Sequence, residues 1–161
     1  MRTHLYESAV AMKDFDDQPW LEQDRRPDGV SDDTVEAIGK LGEALEWLER
    51  ARGRLYDFHQ MSGRVDLLMG EAAEELTSAG HSEQAQRLRD SIVGRNVIEG
   101  RWSFQIVEEY DATYWEPLRE FCAEVRADLV DGKDHVYESE MKEDRRSQGR
   151  RHHESRPESG Q

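Results

Sequence analysis

A run of 47 residues from Asp33 to Ala79 without a single proline constrains this chain more than any other feature. From Leu41 onward its apolar or small residues fall at Leu41, Leu45, Leu48, Ala51, Leu55, Phe58, Ser62, Val65, Met69, Ala72 and Leu76. After the first step the spacing alternates mostly between three and four, the rhythm that keeps one stripe of a helix facing a partner helix. At 1.5 Å per residue a continuous helix of this length would extend about 70 Å, with Ser62-Gly63 the place where it could kink. No stretch of the chain keeps up period-two alternation, so no strand is expected. The expected fold is all-α: an antiparallel helical hairpin or three-helix bundle built on one long helix.

Local signals set the boundaries. Asp33-Thr-Val-Glu36 has the pattern of a capping box, and Gly80 suits the far end of the helix. Ser82 opens a second, short helix with Ala85, Leu88, Ile92 and Val93 inward. Ser103 opens a third, with Val107, Tyr110, Tyr114, Leu118, Phe121, Val125 and Leu129 on one stripe and Gly132 as its stop. Pro117 lies inside it and removes an amide donor, so this helix is expected to kink or to divide near Glu116. Asp134 can cap a last short helix reaching about Asp144.

Composition locates the folded part. Residues 31–132 hold 43 hydrophobic residues in 102 and carry −11 of the formal charge of −14. The division expected is therefore an irregular N-terminal arm (1–30), a helical bundle domain (31–132), a short C-terminal helix (133–145) and a disordered Arg-rich tail (146–161). An acidic body repels phosphate backbones, which argues against duplex nucleic acid as its partner. The longest apolar run, Ala9 to Met12, is too short to span a bilayer, and Cys122 has no second cysteine to pair with. Both point to a cytoplasmic protein that does not enter membranes.

Several constellations are candidates for chemistry or recognition. His59, Ser62 and Asp66 put a polar layer into the long helix's seam, where it could form a metal or proton-transfer site or, more commonly, fix helix register. No Glu-x-x-His or His-x-x-x-His pair exists, which excludes the di-iron bundles. Trp102, Phe104, Tyr114 and Trp115 crowd one half of the third helix, a composition suited to an interaction surface. Tyr114 and Trp115 point about 100° apart on a helix, so one of the two is expected outside the seam. His4-Leu-Tyr-Glu-Ser8 recurs as His135-Val-Tyr-Glu-Ser139, a possible pair of equivalent arms. Residues 145–156 hold five arginines and one glutamate, a patch able to meet RNA or an acidic partner, or to lie on the chain's own acidic surface.

Glu71-x-x-Glu74 and Glu108-x-x-Asp111 place two carboxylate pairs on two helices. Carboxylates three apart share a helix face, and two such pairs can hold Mg²⁺ through hard oxygen ligands. In those four residues the chain resembles the all-α nucleotide pyrophosphohydrolases of the MazG-like group. The resemblance implies a Mg-dependent hydrolase with Glu71, Glu74, Glu108 and Asp111 as ligands. It does not extend further along the chain, and 33 residues separate Glu74 from Glu108. The reading favoured by the residues is a non-enzymatic helical interaction or scaffold protein without a cofactor. Its partner is itself or another protein, because a helix longer than its partners leaves apolar seam uncovered.

Overall fold

The long helix is present and unbroken. In the computed structural model, which describes residues 20–156, α1 spans Asp32–Ser78 and stays helical through Ser62 and Gly63. Its cap lies two residues before the expected one: the Ser31 hydroxyl accepts the Thr34 N–H at 3.2 Å, leaving Asp32 and Asp33 in the first turn, where carboxylates complement the helix dipole. At the other end Gly80 adopts φ +87°, and the His81 N–H closes back on the Leu76 carbonyl at 2.8 Å. This is the left-handed stop that glycine makes at no steric cost.

The remaining elements are α2 (Ser82–Ser91), α3 (Ser103–Tyr110), α4 (Glu116–Val130) and α5 (Val136–Arg145), with a 3₁₀ turn at Glu22–Asp24. The chain is all-α: among the described residues there is no strand, only an isolated bridge between Ile98 and Arg101. No helix among them is long and apolar enough to cross a membrane. Between α3 and α4 the backbone neither breaks nor kinks into two helices but widens into a π turn, Asp111–Trp115. Pro117 has no N–H to offer the Thr113 carbonyl, and the preceding Glu116 N–H reaches back five residues to Asp111.

The chain divides into two compact units at boundaries other than those the composition suggests. One consists, in its described residues, of 20–39 and 126–156; the other is 40–125. The first buries Val35, Ile38, Val130 and Val136. Arg26 is its polar centre, holding Glu140 through two bonds of 2.5 and 2.6 Å, Asp32 at 2.6 Å and the Val30 carbonyl at 3.1 Å. The second His-x-Tyr-Glu-Ser segment is structural here. Ser139 accepts the Trp20 indole N–H at 2.9 Å, and Tyr137 packs so close to Gly39 that a Cβ there would lie 2.9 Å from its ring. The first copy, His4–Ser8, lies outside the described residues.

The arginine-rich tail also belongs to this unit, and its described part folds into turns instead of trailing free. Arg146 pairs with Glu143 at 2.7 Å, Arg156 with Asp24, and Ser155 donates to Glu143 at 2.8 Å. Two of the five arginines of the patch are thus held by the chain's own carboxylates.

In the second unit α3 and the π turn that follows it run antiparallel to α1: Glu49 meets Trp115, Arg52 meets Asp111, and His59 meets Ser103. Further along α1, Asp66 accepts the Gly94 N–H at 2.6 Å, and Arg89 of α2 donates to the Ala73 carbonyl and the Thr77 hydroxyl.

Candidate functional site: the two faces of the long helix

Within residues 40–125, α1 has a covered face that mixes leucines with polar residues, and an exposed surface on which a row of apolar residues runs beside the charged ones. From Leu45 to Leu76 the buried or half-buried positions are Leu45, Leu48, Arg52, Leu55, His59, Ser62, Asp66, Gly70, Ala73 and Leu76, with Ala72 also half-buried beside them. They follow the heptad spacing, but they depart from the stripe of apolar residues at Ala51, Phe58, Val65 and Met69, all of which are exposed. The helix is rotated so that polar residues one position later turn inward.

Arg52, His59 and Asp66 each have a partner. The Arg52 guanidinium grips Asp111 with two bonds of 2.8 Å and stacks 4.3 Å from the Trp115 ring centre. Arg119 lies 4.4 Å from the same ring, and the Trp115 indole donates to Glu49 at 3.1 Å. Asp111 is held below the usual carboxylate range by its hydrogen bonds to Arg52, and Arg52 is pushed up by the same bonds. Tyr110, beside them, is raised by burial first and then by Tyr114 and the carboxylates of Asp111 and Glu49. The π turn supplies Asp111 and Trp115 to this cluster, the kind of local widening that recurs at functional positions in helices.

His59, Ser62 and Asp66 are all half-buried on α1, and His59 and Asp66 make two further latches. His59 shares a hydrogen bond of 2.8 Å between its Nδ1 and the Ser103 hydroxyl, and Ser103 is buried at the start of α3. Asp66 closes the loop after α2. Beside them lies a groove of about 480 Å³, lined among others by His59, Ser62, Asp66, Leu67, Val97 and Trp102. The space left by Ser62 and Gly63 is therefore shared with Trp102.

The aromatic set divides. Trp102, Phe104 and Tyr114 are exposed, whereas Trp115 is half-buried in the Arg52 cluster. Tyr114 is the one of the adjacent pair that faces outward.

The four carboxylates do not form a metal site. Among the described residues no three His, Cys, Asp or Glu side chains converge as ligands, Asp111 is committed to Arg52, and Glu71 pairs with Arg64 at 3.3 Å. The spacing within each pair is right for one face. The Asp111 face, however, is the one that meets Arg52, which leaves its carboxylate neutralised before any cation could bind.

Sequence patterning missed Arg52 and took Asp111 for a candidate metal ligand and not an arginine's partner, since a hydrophobicity template has no reason to turn an arginine inward. An Arg and an Asp placed four residues before a tyrosine and a tryptophan respectively are the only trace of the cluster in the sequence.

The open face of α1 is a second heptad series: Trp47, Ala51, Arg54, Phe58, Met61, Val65, Leu68, Ala72 and Glu75, spaced strictly four and three. Trp47, Phe58, Met61, Val65 and Leu68 are all exposed. Compared with known protein families, with curated proteins and with solved structures, the chain has no match.

Proposed function

We propose that this chain is a non-enzymatic, acidic helical interaction protein of the cytoplasm that associates with itself through α1. One observation carries the reading: Phe58, Met61, Val65 and Leu68, four successive positions of one heptad row on α1, stay exposed, while Arg52, His59 and Asp66 are paired inside residues 40–125. Exposed apolar series of this regularity mark association surfaces, because burying them recovers about 25 cal/mol per Å². The rim fits the same use. Lys40–Glu43, Arg54–Asp57 and Arg64–Glu71 are exposed ion pairs beside or within the stripe, and a polar rim around an apolar centre is the anatomy of a protein interface. The buried single cysteine and the absence of any disulfide framework agree with a reducing compartment.

Sedimentation equilibrium of the full chain over a wide concentration range tests the reading. The expected result is a mass that rises with concentration to twice the chain mass of 18.7 kDa. A mass that stays at one chain at every concentration ends the proposal.

A further inference from the structure

We infer that the self-associated form, which rests on the function proposed above, is a two-fold antiparallel pair of α1 helices with its axis at the level of Gly63. The argument is the symmetry of the open series. Reversed about residue 63, the part of the series from Ala51 to Glu75 maps onto itself, with Phe58 opposite Leu68 of a second copy and Met61 opposite Val65, while Trp47 lies beyond the paired stretch. These are exposed side chains at the centre of the stripe, so the central layers are apolar in either copy. Such self-complementarity is what an isologous interface requires.

Charge chooses the direction. Arg54, whose pair with Asp57 of its own helix at 2.9 Å is solvent-exposed, and Glu75 stand on the same stripe at opposite ends of the apolar stretch, both exposed. In the antiparallel pair Arg54 comes within about 4.5 Å along the helix axis of Glu75 of the second copy. The two-fold axis makes two such pairs. Parallel packing in the same register would instead set Arg54 against Arg54 and Glu75 against Glu75, which like charges oppose. The row flanking the stripe, Asp57, Arg64 and Glu71, alternates in sign. Arg64, nearest the axis and so nearest its own copy, is already countered by Glu71 of its own helix at 3.3 Å.

Charge reversal reads this directly, and every position involved is exposed, so the chain itself keeps its fold. Arg54→Glu alone and Glu75→Arg alone are each expected to weaken dimerisation about tenfold, because two attractive pairs become repulsive. The Arg54→Glu/Glu75→Arg double variant is expected to return to within about threefold of the wild type, because opposite charges face each other again. In a parallel dimer neither single variant moves the constant, and that result overturns the inference. Disulfide trapping gives an independent measurement, with native Cys122 buried and out of reach. A mixture of Phe58→Cys chains and Leu68→Cys chains is expected to form the mixed disulfide in excess over either homodimer. Predominant Phe58→Cys homodimers overturn the antiparallel arrangement while leaving self-association intact. A chain that is monomeric before any substitution removes self-association itself, so the two failures are distinguishable.

Discussion

Met61 and Leu67 are a matched pair on one helix, exposed to 62% and 61%, and only Met61 belongs to the open heptad series. Met61→Ala deletes three heavy-atom groups beyond Cβ, worth about 0.8 kcal/mol each when fully buried. With 62% of the residue still open to solvent in the free chain, association has about 1.5 kcal/mol to gain from that side chain in each copy. A dimer contains it twice, so Met61→Ala should weaken dimerisation by about 3 kcal/mol, about 150-fold in Kd. Leu67 lines the groove on another side of α1, so Leu67→Ala should leave Kd within about threefold of the wild type. Sedimentation equilibrium measures both constants, and urea unfolding of each variant checks that the folded chain survives, as mostly exposed substitutions should allow. Equal effects of the two variants on Kd would refute the reasoning. They would mean that exposure alone, and not the stripe, drives association.

Two further outcomes concern the fold. Because Asp111 titrates below the 3.8 of an unperturbed Asp, its bond to Arg52 stabilises the folded chain above that pH and loses this contribution as pH falls through the lowered native value. Asp111→Asn should therefore lower stability at neutral pH and flatten the acid limb of a stability-versus-pH curve, read by urea titration; an unchanged acid limb contradicts the linkage. Gly39→Ala would place a methyl 2.9 Å from the Tyr137 ring, an overpacking that costs about 1–3 kcal/mol in thermal or urea unfolding. Adding Tyr137→Ala should relieve most of the clash, and a clash that persists in the double variant counts against the contact.

The all-α class, the length of α1 and its glycine stop were legible because they depend on local chemistry: heptad spacing, the lack of proline, and the left-handed freedom of Gly80. The rotation of α1 was not. Arg52, His59 and Asp66 turn inward because of partners 59, 44 and 28 residues away, and a pattern built on apolar residues chose their neighbours Ala51, Phe58 and Val65 instead. On the third helical run the error had another cause. A π turn holds one residue more than an α turn, so a stripe counted at constant spacing drifts by one after Asp111. Tyr114 and Phe121, placed inward by counting, are 50% and 58% exposed, whereas Trp115 and Cys122 take the covered positions. The polar layer was visible as an interruption of the seam. Its division into the His59–Ser103 and Asp66–Gly94 latches was not, since both partners lie beyond the helix that carries the signal.

The rotation of α1 also separates two tasks among its residues. Paired polar groups add little net stability compared with apolar packing, but they penalise every misaligned arrangement, because a shift of one turn would leave Arg52, His59 or Asp66 buried without a partner. Turning them inward fixes the register of α1 against α2 and α3 by geometry, a job for which apolar contacts are permissive. The same rotation delivers Phe58, Met61, Val65 and Leu68 to the solvent side, where apolar area is the strongest general driving force for association. Paired polar residues inside and apolar surface outside are together what supports the proposed association of α1.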